Sequence, residues 1–178
     1  MSIRGFLIAL VVFLPTFGFA QSRGQAAETL PGATNYTRVE PTVACGGATG
    51  VEAFPVLKER GFKAVINLRQ DSEPEAHVTE SRLAAEAAGL RYVHIPFNGH
   101  APTPEPIDAF LVAVADPSNS PVYIHCTSAN RVGAMWLAKR VLVDGWDVER
   151  ATKEAELIGL KTPELKQFVL EYIETHRH

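Results

Sequence analysis

A cysteine followed five positions later by an arginine, in the run HCTSANR at 125–131, is the pairing here with the most chemistry in it. The apolar VYI before it reads as a short strand, and VGAMWLAKRVLVD after it reads as a helix. Cys126 therefore stands at the carboxyl end of a strand, where open α/β sheets bind ligands. A loop there turns successive backbone N–H groups inward, and the following helix adds the positive end of its dipole. Both favour an anion, and both favour a thiolate over a thiol. Arg131 offers a planar fork of donors suited to two oxygens of a tetrahedral oxyanion. Thr127, Ser128, Ala129 and Asn130 would form the wall of the substrate site, with His125 fixing the loop by bonding backbone carbonyls. The plain alternative is a buried thiol beside an exposed charge. An arginine in a helix's first turn opposes the dipole unless an anion compensates it, which favours the functional reading.

Two other segments could reach the same place. Arg69, Asp71 and Glu73 lie in NLRQDSEPE, beyond another strand, and either line the cleft or form a solvated turn. In the cleft they would orient Arg131 or meet substrate. Cys45 precedes Gly46-Gly47 at a further strand end, as an inert core thiol or a trap for Cys126 by a reversible disulfide. The closing THRH matches no ligand set and reads as a frayed tail, so no metal and no cofactor is expected. Trp136 and Trp146 are assigned to the core or helix ends.

These groups need a scaffold, and 178 residues with 46% hydrophobic and 21% charged content suit one compact domain. The net charge of -3 gives no electrostatic footprint for nucleic acid and disfavours anionic membrane surfaces. Residues 1–20 have a positive start, an apolar run and small residues at Gly18 and Ala20, the layout of a secretory signal peptide. An exported protein, periplasmic or secreted, is expected, with a linker over 21–35 and the domain over 36–175. Strand signals (TVACGG, KAVINL, RYVHIPF, PVYIHC) alternate with helix signals starting near Val51, Glu75, Thr103 (a cap), Arg131, Asp147 and Thr162. The expected fold class is α/β, a mainly parallel central sheet flanked by helices.

VYIHCTSANRVGAMW resembles the loop of the cysteine-dependent protein tyrosine phosphatases of the dual-specificity kind. The chain is more closely similar to the bacterial phosphatase-like family named after beta-lactamase hydrolase-like proteins, whose loop also has four residues between Cys and Arg. The blocks CGGAT, GFKAVINLRQDSE, AAGLRYVHIPF and DGWDVERATKEAELIGL extend the likeness over about residues 35–173. It implies a phosphatase fold, Cys126 as nucleophile, Arg131 as oxyanion binder, and a phosphate ester or phosphoprotein as substrate. Ala129 replaces a usual Gly, which should restrict positive φ there. Val132 replaces a common Ser or Thr whose hydroxyl helps the thiolate depart. An Asp acid commonly follows the strand matching RYVHIPF; here the loop holds Asn98, Gly99 and His100. His100 is the candidate acid, or else a solvated loop histidine. Glu105 and Asp108 lie further along.

Two other functions stay open on these residues. The loop length is similar to that of rhodanese-type sulfurtransferases, with Cys126 carrying a persulfide. Val132 and the missing Asp suit an anion- or partner-binding module without turnover.

Overall fold

The computed structural model describes residues 28–177; the expected leader, and the linker up to residue 27, lie outside the described residues. Five strands form one sheet in the order β1-β2-β5-β3-β4. They are β1 (Thr37–Glu40), β2 (Val43–Gly46), β3 (Ala64–Asn67), β4 (Arg91–His94) and β5 (Val122–His125). Every neighbouring pair is parallel except β1 with β2. The fold is thus α/β with a mainly parallel sheet.

Period-two alternation explains why β2, β3 and β5 are buried at every position. Ala44, Val65 and Tyr123 point to one face, where they meet Phe54, Leu57 and Ala85 from α1 (Ala53–Glu59) and α2 (Val78–Ala87). Val43, Cys45, Ile66, Val122 and Ile124 point to the other. That face carries α3 (Glu105–Ala115), α4 (Asn130–Leu142), α5 (Val148–Ile158) and α6 (Pro163–His176).

Apolar residues at helical spacing face this layer: Ala151, Ala155 and Ile158 of α5, and Leu165, Val169, Tyr172 and Ile173 of α6, are buried. Helix α4 is the axis of this layer, with ten of its thirteen residues buried. Gly133 permits the close crossing, since a Cβ there would stand 2.5 Å from the Ala155 carbonyl oxygen. At the far end of α4 the buried Arg140 guanidinium lies between the Trp136 and Trp146 rings, 4.8 and 4.1 Å from their centroids. Glu154, Glu40 and Asp144 neutralise it, tying β1 and α5 to α4.

Three local expectations are corrected. Helix α2 begins at Val78 rather than Glu75, because Glu75 and His77 take positive φ values of 56° and 41°. Pro104, not Thr103, occupies the N-cap position of α3. Helix α6 runs through His176, whose Nδ1 meets the Tyr172 carbonyl oxygen at 2.7 Å, so the tail is held rather than frayed. No helix among the described residues is long and apolar enough to cross a membrane.

Candidate active site

Cys126 follows directly on β5, the central strand, and its N–H donates to the Gly46 carbonyl at 3.3 Å, so the sheet ladder runs into the loop. Four residues distant in sequence brace the loop beyond the cysteine or are held by it. The Ala48 N–H donates to the Thr127 carbonyl at 2.8 Å, and Asn35 Nδ2 donates to the Ser128 carbonyl at 3.2 Å. Asn130 Oδ1 accepts the N–H groups of Lys161 and Thr162, at 2.8 and 3.2 Å, while its Nδ2 donates to Thr162 Oγ1. Among the described residues, the N–H groups of Thr127 and Ser128 donate to no protein acceptor.

Ala129 adopts φ 68°, the left-handed conformation that its side chain was expected to restrict. The room comes from Gly159, at φ 147°, where a Cβ would stand 3.0 Å from the Ala129 Cβ. The bend itself is kept, at a cost of about 1–2 kcal/mol for an L-residue.

Arg131 turns back from the first turn of α4 and is 9% exposed. Its Nη1 donates to the carbonyls of Leu68 and Phe97, at 3.1 and 2.9 Å, and to Glu73 Oε1. Its Nη2 donates to Glu73 Oε2 at 2.8 Å and to Thr127 Oγ1 at 3.0 Å, and the Thr127 hydroxyl donates to the same carboxylate oxygen. Burial opposes the Arg131 charge, but Glu73 and Cys126 outweigh it and raise its pKa. Burial likewise opposes the Glu73 charge; hydrogen bonds from Arg131, Thr127 and the Gln70 N–H overcome it and hold its pKa at about 2.

Of the residues left between cleft and turn, Glu73 enters the cleft, whereas Arg69 turns into the loop and donates to the Pro74 and Glu75 carbonyls at 2.6 and 3.0 Å. Asp71 stays exposed on the outer side.

The cleft has a volume of about 390 Å³ and is lined by Gln70, Glu73, Asn98, Gly99, His100, Thr127, Ser128, Asn130, Arg131 and Thr162. Cys126 and Ala129 are fully buried beneath it. His100 is exposed at the rim, on a turn closed by its N–H bond to Asn98 Oδ1. Glu105 and Asp108 do not line the cleft; Asp108 accepts the Tyr172 hydroxyl instead.

His125 does not line the cleft either. It is 2% exposed and stacks on Tyr123 behind the loop. Neither ring nitrogen has a well-formed hydrogen-bond partner among the described residues, although the backbone of Cys126 and Gly47 lies close enough to favour a ring proton. Burial, reinforced by the charge of Arg69, lowers its pKa to about 3 and keeps it neutral. Cys45 is a free, fully buried thiol whose pKa burial pushes far up. Among the described residues no cluster of His, Cys, Asp and Glu is gathered as a metal site.

Sequence reasoning missed the Asn35 and Thr162 braces and the lining by Gln70. Asn35 falls in a stretch that reads as linker, and Thr162 and Gln70 carry no signal of type or spacing.

The likeness to known proteins runs along the same architecture. The chain is 29% identical over 147 residues to a beta-lactamase hydrolase-like protein of Agrobacterium fabrum, matching 74% of this chain and 34% of that one. It spans about a third of the length of the curated relatives of this kind, which include one from Xylella fastidiosa at 28% identity. Among solved structures, a DUF442 phosphatase of Shewanella putrefaciens CN-32 superposes with a TM-score of 0.69 at 25% identity, covering 83% of this chain and 96% of that one. The core catalytic domain of the PP-IP phosphatase Siw14 of S. cerevisiae shares the fold, with a TM-score of 0.66 at 17% identity over 83% of this chain and 93% of its own. The family model described as "DSP-PTPase phosphatase fused to NAD+ Kinase" matches residues 25–170. By that match, over the sheet, the loop and five of the six helices, the chain belongs to this family of cysteine-dependent, dual-specificity-like phosphatases.

Proposed function

We propose that this domain hydrolyses phosphate monoesters through a phosphoryl group carried on Cys126. The observation that carries the reading is the placement of Arg131: a buried guanidinium, gripped by Glu73, that lines one cleft together with Thr127, Ser128 and Asn130 of the Cys126 loop. The sulfur attacks phosphorus as the thiolate. Arg131 and the loop N–H groups of Thr127 and Ser128 hold the non-bridging oxygens, whose charge grows in the transition state. His100, at the rim, donates a proton to the departing ester oxygen. Water then cleaves the phosphorus–sulfur bond and regenerates the thiol. His125 and Ala129 act from behind, through the shape of the loop, and Asn130 through its hold on Lys161 and Thr162.

The substrate is a phosphate ester or phosphoprotein met outside the cytoplasm, since the start of the chain has the layout of an export signal. A second reading, an anion- or partner-binding module with stalled turnover, is favoured by Val132. That buried side chain opens α4 and brings no hydroxyl to the thiolate as it leaves.

The test is an aryl phosphate assay on reduced protein, with Cys126→Ser and Arg131→Ala beside it. Slow phosphate release, lost in both variants, is expected. Absence of both phosphate release and covalent phosphate would overturn hydrolysis; vanadate binding alone would leave the module.

A further inference from the structure

The turn that supplies Glu73 to the cleft has a second face. Arg69 fixes its backbone by donating to the Pro74 and Glu75 carbonyls, and the Gln70 N–H donates to Glu73 Oε1. With the backbone held in this way, the Asp71 and Glu75 side chains are left exposed. They border an open groove of about 890 Å³ that runs along the start of α2 and shares Glu73 with the catalytic cleft. Val78, Leu83 and Ala84 supply its apolar surface, and Leu83 is 56% exposed although it is a large aliphatic side chain. Glu80 completes the rim.

Among the described residues no lysine or arginine lines this groove. Among the described residues Asp71 and Glu75 form no ion pair, and Glu80 meets only His77 Nδ1, at 3.9 Å. Glu73 is different in kind, because its charge is already taken by Arg131 and Arg69. The outer carboxylates are therefore uncompensated, beside an apolar strip that water covers poorly. Their groove meets, at Glu73, the cleft assigned above to the phosphoryl group. A polypeptide with its phosphorylated side chain in the cleft would lay its neighbouring residues along this groove. Charge complementarity selects lysine or arginine there, and the strip around Leu83 takes an aliphatic side chain.

We propose that this groove binds the segment flanking the phosphorylated residue of a protein substrate and selects segments that carry lysine or arginine beside an aliphatic residue. The proposal rests on the phosphatase reading and adds a substrate class to it. Screening by salt is part of it, since the carboxylates are exposed.

Three phosphotyrosyl peptides, identical except for lysine, glutamine or glutamate pairs beside the phosphorylated residue, provide the test. Their binding to the Cys126→Ser protein is measured by fluorescence anisotropy, and their hydrolysis by the wild-type protein is set against that of a plain aryl phosphate. The lysine peptide is expected to bind roughly tenfold more tightly than the glutamate peptide at low salt, with the gap closing near 1 M salt. In the triple variant Asp71→Asn, Glu75→Gln, Glu80→Gln the preference should vanish while aryl phosphate hydrolysis stays unchanged. Leu83→Ser should weaken the lysine and glutamine peptides alike. Equal binding of the three peptides, or a preference that survives the triple variant, overturns the groove. Failure of wild-type protein to release phosphate from the aryl ester overturns the phosphatase reading instead, and the anisotropy series still decides the groove.

Discussion

Glu73 grips Arg131 across 58 residues of sequence by both guanidinium Nη atoms, and the Thr127 hydroxyl closes the triangle by donating to Glu73 Oε2 while accepting from Arg131 Nη2. One edge of the guanidinium is thereby fixed to protein. Its attitude in the cleft depends on a carboxylate from a different strand's loop. Glu73→Gln keeps the shape and removes the charge. A hydrogen bond to a charged group contributes about 1.5–3 kcal/mol, so oxyanion affinity should fall roughly tenfold to a hundredfold. Vanadate inhibition and kcat/KM, measured together, read this. A variant with unchanged vanadate affinity would show that Glu73 does not orient Arg131.

Acid should weaken the fold in two stages. His125 carries its proton only below about 3 in the folded protein, against 6.5 ordinarily. Between those values the unfolded chain binds the extra proton, so the stability that neutral His125 contributes is full above 6.5 and lost as pH falls toward 3. Glu73 comes next, at lower pH: its stabilising charge is present above 4.5 and lost as pH falls through about 2. Each such proton gives a slope of about 1.4 kcal/mol per pH unit. Urea unfolding between pH 7 and 4.5 should therefore lose stability steeply in the wild type and less steeply in His125→Gln. Equal slopes would remove His125 from the account.

The opposition of Ala129 and Gly159 makes a coupled pair. Gly159→Ala places a Cβ 3.0 Å from the Ala129 Cβ, on backbone at φ 147° that L-residues rarely adopt. A loss of roughly 1–3 kcal/mol is expected. Ala129→Gly relieves the left-handed turn but adds freedom to the unfolded chain, so its net effect should stay within about 1 kcal/mol. In the double variant the Cβ–Cβ contact disappears, while the close approaches to the residue-129 carbonyl carbon and oxygen, at 3.1 and 3.2 Å, and the strain at position 159 remain. Thermal unfolding of the four proteins gives the coupling; strict additivity would mean the two residues do not sense each other.

What the sequence made legible was decided by how local the signal was. Strands β2, β3 and β5 are short apolar runs, and the stripes of α5 and α6 recur at helical spacing, so both can be read directly. Strand β1, TRVE, is half-buried throughout at the sheet's edge and looks like any polar stretch. The start of α2 lies three residues beyond its sequence signal because Glu75 and His77 carry no mark of their positive φ. The Cys126 loop was legible because strand, cysteine, arginine and helix are consecutive. Its braces were not: Asn35 lies 93 residues from Ser128 and Glu73 lies 58 from Arg131, and nothing in a single sequence records such pairings. That is why sequence alone offers Glu73 as a partner of Arg131 without choosing it over a solvated turn.

Proton donation to the leaving group should fall to His100. Among the described residues the one carboxylate lining the cleft is Glu73, whose pKa of about 2 leaves it ionised and unable to donate near neutrality. Asp108 is engaged with Tyr172 and does not line the cleft, and Asn98 has no proton to give. A positioned acid contributes about 10²–10⁴-fold, but only where the departing oxygen needs the proton. His100→Ala should hence slow an alkyl phosphate or a phosphoserine peptide by roughly a hundredfold. It should change a nitrophenyl ester little, because nitrophenolate leaves unaided. His100→Gln keeps a hydrogen-bonding side chain without a titratable proton and should behave as the alanine variant does. If both variants slow the two ester classes equally, the His100 side chain serves the shape of the rim rather than the chemistry, and the proton comes from solvent.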